Sequence, residues 1–120
     1  MGIDVKDYHH IALVVRDLEK CVRFYEKVLG LESLERPDFG FPGHWFQVGE
    51  TSQLHLMVMN EAIPETMRHM AIEVADFTTT IKVLETEGIQ ITDGPGKRAD
   101  GSDYLFCKDP DGNLIEIVKH

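Results

Sequence analysis

An internal repeat is the feature of this sequence that most constrains its fold. The stretch HIALVVRDL, which begins at His10, matches HMAIEVADF, which begins at His69, at an offset of 59 residues. Farther along, LHLMV around His55 matches IEIV around Glu116, at an offset of 61 residues. Because several matches occur in the same order, we predict two diverged copies of one supersecondary unit within a single domain, 1–120.

The two copies, module one (about 8–59) and module two (about 68–120), have the same predicted order of elements. In each, an apolar strand leads to an aspartate that can cap a helix, a glycine ends that helix, and three strands follow. The aspartates are Asp17 and Asp76, and the glycines are Gly30 and Gly88. The predicted strands are 10–15, 31–35, 44–49 and 53–59 in module one, and 69–74, 89–92, 103–108 and 113–118 in module two. The predicted fold class is therefore α+β, with two βαβββ modules in tandem forming a curved mixed sheet.

Composition narrows the class of protein. With 120 residues, 42% of them apolar and 28% charged, the chain can bury a core of its own. A net charge of −9 argues against a nucleic-acid partner, and no apolar run approaches the roughly 20 residues of a membrane span. The N-terminus shows no signal-peptide pattern, and Cys21 and Cys107 form no CxxC motif, so we expect a cytoplasmic protein with reduced thiols.

Strand alternation sends four unusual side chains to one face of the predicted sheets. In the first strand the larger apolar side chains are expected to pack under the helix, so His10 points the other way. His69 does the same in module two, while His55 and Glu116 alternate with apolar neighbours in the last strands. A single strand histidine is more often a satisfied core or surface residue. The repeat-matched set of three imidazoles and a carboxylate instead favours a divalent metal site.

Four motifs spread over the whole chain resemble those of the vicinal oxygen chelate superfamily, also called the glyoxalase/bleomycin resistance/extradiol dioxygenase group. They are HIALVVRDLEKCVRFYEKVLGL, QLHLMV, HMAIEV and FCKDPDGNLIEIV. The resemblance implies the glyoxalase-like paired-module fold and a cleft holding a divalent metal. That metal would bind the substrate through one or two oxygens and stabilise an oxyanion. The family's ligand positions fall on His10, His55, His69 and Glu116.

His55 departs from the better-known members of this group. Glyoxalase I enzymes generally carry Glu at this position and methylmalonyl-CoA epimerases carry Gln, while fosfomycin-modifying thiol transferases and extradiol dioxygenases do not use it as a ligand. Without His55 the set is two histidines and one carboxylate, which suits Fe; with it, Zn, Ni, Co or Mn fits comparably. The subfamily stays open, as does the choice between ligand and acid/base for His55. Glu116 and His55 are the candidate catalytic residues.

Candidates for a substrate pocket are Arg98, Trp45, Phe46 and Tyr104. Arg98 belongs to a predicted loop, 94–101, which borders the pocket in related folds. It could hold an anionic substrate or be a solvated loop charge. Trp45 and Phe46 point to opposite strand faces, so one is expected to line the cleft and the other to pack.

Three other polar residues are predicted to be structural. His9 has no counterpart in module two, and His44 is a polar residue at a strand end. Asp109 begins an acidic turn similar to a calcium-binding loop, but Leu114 and His120 stand where such a loop needs Gly and Glu. We therefore expect a hairpin turn there.

The leading functional hypothesis is a metal-dependent enzyme of the glyoxalase/dioxygenase type, acting on a small oxygenated metabolite or a thiol adduct. A lyase or isomerase, a thiol transferase and a dioxygenase all stay open. The alternative is a metal-independent protein that sequesters a small molecule, as bleomycin-resistance proteins do. The expected partners are the small-molecule substrate and a second copy of the chain in a homodimer.

Overall fold

In the computed structural model, which describes residues 1–120, the chain divides into two units, Met1–Glu61 and Ala62–His120. Each unit contains a βαβββ module whose four strands form one sheet. The first unit contains β1 (His10–Val15), α1 (Leu18–Arg23), β2 (Glu32–Leu34), β3 (Gly43–Val48) and β4 (Ser52–Val58). The second contains β5 (Met70–Glu73), α2 (Phe77–Thr86), β6 (Asp93–Lys97), β7 (Asp103–Lys108) and β8 (Leu114–Lys119).

The two sheets have the same topology. Their strand orders are β1-β4-β3-β2 and β5-β8-β7-β6. In each sheet the first strand of the module lies parallel to the last, and the remaining neighbours are antiparallel. The predicted α+β class with two tandem βαβββ modules is therefore confirmed. The structure contains two four-stranded mixed sheets, one in each module.

The helices begin where the sequence predicts. The Asp17 side chain accepts a hydrogen bond from the backbone N–H of Lys20, and Asp76 accepts one from Thr79. These contacts satisfy backbone donors that the first helical turn leaves without partners. Neither helix has the length and apolar character needed to span a membrane.

The first helix changes its geometry half-way along. After α1 the chain continues as a π-helical segment, Phe24–Val28, in which the N–H of Leu29 donates to the carbonyl of Phe24 over 3.1 Å. The wider turn lets Phe24 and Tyr25, which are adjacent in sequence, both lie buried in the core. The prediction of one regular amphipathic helix up to Gly30 is wrong for this second half.

The edge strand β6 also differs from the prediction, which put a strand at 89–92 and a loop at 94–101. The strand instead runs through the Gly-Pro-Gly segment of that predicted loop. Pro95 is tolerated because β6 is an edge strand, where an N–H can be spared from the ladder. Gly96 is needed because a Cβ there would lie 2.7 Å from the ring of Tyr104. Glycine and proline here serve close packing at a sheet edge.

The core lies on the helix side of each sheet, and the site residues lie on the other side. Leu54 and Leu56 are fully buried in β4, as are Ile115 and Ile117 in β8. Alternation along these strands turns the residue between each pair to the opposite face. These intervening residues are His55 and Glu116. Their side chains therefore lie on the face of the sheet away from the helix, as the alternation in the sequence predicts.

Candidate functional site

Module one brings two of the predicted metal ligands together. β1 and β4 are neighbouring parallel strands whose register places Ala12 opposite His55. As a result the rings of His10 and His55 stack, with centroids 4.0 Å apart and planes within 15°.

Two stacked rings and a polar contact fix the position of the His55 side chain. Its other ring face stacks on Trp45 at 4.1 Å, with planes 6° apart, and its Nε2 lies 2.9 Å from Oε1 of Gln53. The residue is only 8% exposed. Burial, assisted by nearby basic side chains that include His10, lowers the pKa of His55 to about 4. The imidazole is therefore neutral near pH 7, in the form that can bind a metal ion or accept a proton.

The structure separates Trp45 from its neighbour Phe46. Trp45 shares the face of His55, whereas Phe46 is 0% exposed and packs 5.9 Å from the ring of Tyr25 in the core. Phe46 is therefore not a pocket residue, because strand alternation turns it toward the helix. His44 lies on the same side as Phe46, with ring centroids 4.7 Å apart, away from the candidate site.

His9 contacts the site in a way that the repeat did not predict. Its Nδ1 lies 2.8 Å from Nδ1 of His10, and the two rings meet edge to face. Both side chains are exposed. His9 precedes β1, where strand alternation gives no information, so no pattern in the sequence signalled this contact.

Module two brings the other two predicted ligands together. β5 and β8 repeat the register of module one, with Ala71 opposite Glu116. Nε2 of His69 lies 3.1 Å from Oε1 of Glu116, and Nδ1 of His69 lies 2.6 Å from the carbonyl oxygen of Met67. Because Nδ1–H donates to Met67, the neutral ring presents a lone pair at Nε2 toward the carboxylate. That contact is attractive only when a proton or another cation lies between the two atoms.

The donor chemistry of these residues fits a divalent cation. Metal bonds to imidazole nitrogen and carboxylate oxygen measure about 2.0–2.2 Å, which places neighbouring ligand atoms roughly 3 Å apart. His69 and Glu116 have this spacing. No group of three or more histidine, cysteine, aspartate or glutamate side chains that could hold a metal ion occurs in the structure. Each module instead supplies one pair of donors.

Arg98 engages the second oxygen of Glu116. Its Nη2 donates to Oε2 over 2.8 Å, and its guanidinium carbon lies 3.9 Å from the ring centroid of Tyr104. The hydrogen bond with Glu116 raises the pKa of Arg98 above its usual value. Phe106 completes the group, 5.0 Å from the ring of His69 and 5.9 Å from Arg98. Arg98 therefore lies against an acidic ligand candidate, and is not simply a solvated loop charge.

Nearly the whole chain matches the model of one known protein family. The chain matches the model of the Glyoxalase/Bleomycin resistance protein/Dioxygenase superfamily over residues 7–117. It belongs to that superfamily. The resemblance predicted from the four sequence motifs is thereby confirmed.

Individual relatives agree with this membership. The chain is 29% identical over 122 residues to a Vibrio cholerae protein named probable lactoylglutathione lyase, covering 92% of this chain and 88% of the relative. It is 30% identical to the Arabidopsis thaliana protein named glyoxylase I 4, covering 91% and 68%. A Bacillus anthracis structure described as a glyoxalase family protein superposes with a TM-score of 0.88 at 24% identity, covering 100% and 99%. The last similarity bears on the fold alone.

The acidic turn of this superfamily member is a structural hairpin. Oδ1 of Asp109 accepts hydrogen bonds from the N–H groups of Asp111 and Asn113, and Oδ2 accepts one from the Asn113 side chain. Both carboxylate oxygens are thus used within the turn that joins β7 to β8.

Proposed function

We propose that this protein is a metal-dependent enzyme acting on a small oxygenated metabolite or a thiol adduct. The proposed metal ligands are His10 and His55 from module one, and His69 and Glu116 from module two. Support comes from the internal repeat, because each module presents two donors at equivalent strand positions.

One observation carries the proposal. Nε2 of His69 and Oε1 of Glu116 lie 3.1 Å apart, which is the spacing of two ligand atoms on one metal ion, while the carbonyl of Met67 accepts from Nδ1 and orients the imidazole. Ligating histidines are commonly oriented by such a hydrogen bond from the second ring nitrogen. A divalent ion between the two atoms would take the place of the proton that otherwise joins them.

The chain's own residues have separable roles in this scheme. A bound divalent metal would supply Lewis-acid stabilisation of negative charge on a substrate oxygen. Arg98 holds the Glu116 carboxylate by its second oxygen and so fixes its orientation. His55 and Glu116 are the groups available to accept a proton, and His55 is already neutral near pH 7 because its pKa is about 4. Trp45 covers the His55 ring and limits access of water to it.

Lactoylglutathione is the first substrate to test. Lactoylglutathione lyases are named among the relatives at about 28% identity, and lactoylglutathione is a thiol adduct rich in oxygen atoms. The reaction class that we propose is therefore a lyase or isomerase of glyoxalase type. Thiol transfer and dioxygenation are the alternatives within the same superfamily.

Metal analysis of protein purified without a polyhistidine tag tests the proposal. We expect one equivalent of a divalent metal per site, restored after chelation, and thioester turnover that depends on it. His69→Ala should remove both metal and turnover. Substoichiometric metal that cannot be reconstituted, with no change in His69→Ala, contradicts the proposal.

A second candidate function is metal-independent binding of a small molecule. It is favoured by Arg98, whose cationic group already compensates the charge of Glu116 at 2.8 Å. Ligand affinity that does not change when a chelator is added supports this candidate over the enzyme.

We further propose a cytoplasmic homodimer whose 120-residue chain acts as one glyoxalase-like domain. Cys21 and Cys107 are buried and form no disulfide bond, and burial raises the pKa of the Cys107 thiol to about 11, as suits a reducing compartment. A metal site could combine the two modules of one chain or modules of two chains. Mixing His10→Ala chains with Glu116→Ala chains distinguishes these, since partial recovery of metal binding requires a shared site.

A further inference from the structure

Each module places a guanidinium group beside the same position of its third strand. In module two, Arg98 stacks over Tyr104 and donates to Glu116 over 2.8 Å. The residue of β3 equivalent to Tyr104, by its place in the ladder, is Gly43. A Cβ on Gly43 would lie 2.9 Å from the guanidinium carbon of Arg36. In module one the absent side chain therefore leaves the space that the Arg36 guanidinium fills.

Arg36 lacks the carboxylate that Arg98 has. The residue at the position of Glu116 is His55, and an imidazole supplies no negative charge to pair with the guanidinium. Nη2 of Arg36 donates to the carbonyl oxygen of Phe41 over 3.1 Å, whereas its Nε is shielded from solvent and has no hydrogen-bond partner. A guanidinium carries five N–H donors, and the contact with Phe41 pairs only one of them with a protein acceptor. Such a cation is unusual in a chain with a net charge of −9.

The surroundings of Arg36 hold its guanidinium in place and offer an apolar surface beside it. The rings of Phe39 and Phe41 lie 5.1 Å and 5.0 Å from the guanidinium carbon. Phe39 is 53% exposed, and its ring lies 5.8 Å from that of Trp45, which stacks on His55. An oriented cation thus adjoins an aromatic surface that leads to a candidate metal ligand.

We propose that Arg36 forms a subsite for a carboxylate of the ligand, with Phe39 and Trp45 packing against a flat or apolar part of the same molecule. A carboxylate matches the planar guanidinium fork with two parallel hydrogen bonds. The Arg98–Glu116 pair is an internal example of the same contact. This subsite adds a ligand class to the proposed function. It rests on that function only in taking the bound carboxylate to belong to the substrate. Its geometry involves no metal.

Titration with benzoate and with its neutral analogue benzamide tests the subsite. The protein contains one tryptophan, Trp45, so its fluorescence reports binding beside Phe39. With a chelator present, we expect benzoate to bind saturably and at least about 10-fold more tightly than benzamide. Arg36→Gln should abolish that preference. Arg23→Lys, on the exposed side of α1, is the control that should retain it. Equal affinity for the two probes overturns the proposal.

A second variant keeps the test decisive if Arg36→Gln fails to fold, which circular dichroism would reveal. His55→Glu puts a carboxylate at the position of Glu116 and should occupy Arg36 internally. Calorimetric titration should then show benzoate binding weakened at least about 10-fold, although Arg36 is intact. Benzoate binding equal to that of the wild type contradicts the subsite. Because every titration contains a chelator, failure of the proposed metal enzyme would leave these results unchanged, and the two proposals can fail separately.

Discussion

The two modules share a backbone and differ in the electrostatics of their site faces. In module one, neutral His55 is stacked between Trp45 and His10. In module two, Oε2 of Glu116 accepts a hydrogen bond from Arg98, and Oε1 lies 3.1 Å from Nε2 of His69. The register that places these residues is the same in both sheets. One fold therefore presents aromatic rings around a neutral imidazole in one module and a carboxylate with an arginine in the other.

This difference indicates that the two modules would contribute differently to binding a metal ion and a ligand. A carboxylate attracts a cation over a longer range than a neutral imidazole does, because it carries a net charge, and Arg98 offsets part of this attraction at Glu116. Module two would therefore supply most of the attraction for a metal ion. Module one would supply neutral ligands, apolar contact and, through Arg36, a place for a negative charge on the ligand.

The largest expected effect comes from removing the charge of Glu116. Glu116→Gln should weaken metal affinity at least about 100-fold, because loss of a charged ligand should exceed the 10- to 100-fold effect of losing an outer-shell partner. His55→Gln should cost less, about 10-fold, since it removes a neutral donor. Competition with a chromophoric chelator measures both affinities, and Glu85→Gln on the exposed face of α2 is the control. A larger loss in His55→Gln than in Glu116→Gln would show that the charged module is not the main attraction.

The sequence predicted the parts of the fold that repeat. Strand alternation and the aspartate caps are local patterns, and both copies agree on them. The π-helical segment and strand β6 could not be predicted in the same way. Whether Phe24 and Tyr25 both reach the core, and whether Gly96 faces the ring of Tyr104, depends on side chains that are distant along the chain.

The contacts within the candidate site also depend on residues that are distant along the chain, so the sequence alone does not predict them. Alternation assigns a face to His10 and to Glu116, but it does not say which side chains touch there. The sequence makes Arg98 a pocket candidate but does not reveal its contact with Glu116, and no pattern in the sequence indicates Arg36. Arg36 lies in the connection between β2 and β3, where no periodic pattern holds. Its relation to the candidate site is recognised only when the two sheets are compared, because Gly43 then corresponds to Tyr104.

The glycines of the two modules provide the next test. Gly96→Ala should lower the free energy of unfolding by about 1–3 kcal/mol, because its Cβ must displace the Tyr104 ring in a packed sheet edge. Urea denaturation followed by circular dichroism measures this change. Gly2→Ala is the control, since a Cβ there has no atom within 4 Å. A stability equal to that of the wild type would mean that Tyr104 moves freely and does not hold Arg98 by stacking.

Arg98 should affect the metal in the opposite direction from Glu116. Arg98→Ala removes the cation that competes for the carboxylate, so metal affinity should rise about 10-fold. Chelator competition measures the shift, and Arg98→Lys should stay near the wild-type value because it keeps the charge. If Arg98→Ala instead weakens metal binding, Arg98 acts chiefly by orienting Glu116. If metal binding is absent in both proteins, the metal-independent candidate is favoured.

The smallest expected effect lies in the helix caps, where the modules are alike in design. The backbone hydrogen bond from Thr79 holds the pKa of Asp76 below its usual value of 3.8. A carboxylate whose pKa is lowered on folding contributes stability above its unfolded pKa, and that contribution is lost as the pH falls through the folded pKa. Asp76→Asn keeps the capping acceptor without the charge, so its deficit relative to the wild type should be present at neutral pH and shrink below pH 3.8. Urea midpoints measured across that range test this, with exposed Asp38→Asn as the control. A deficit independent of pH would show that the Asp76 cap acts through its shape and not its charge.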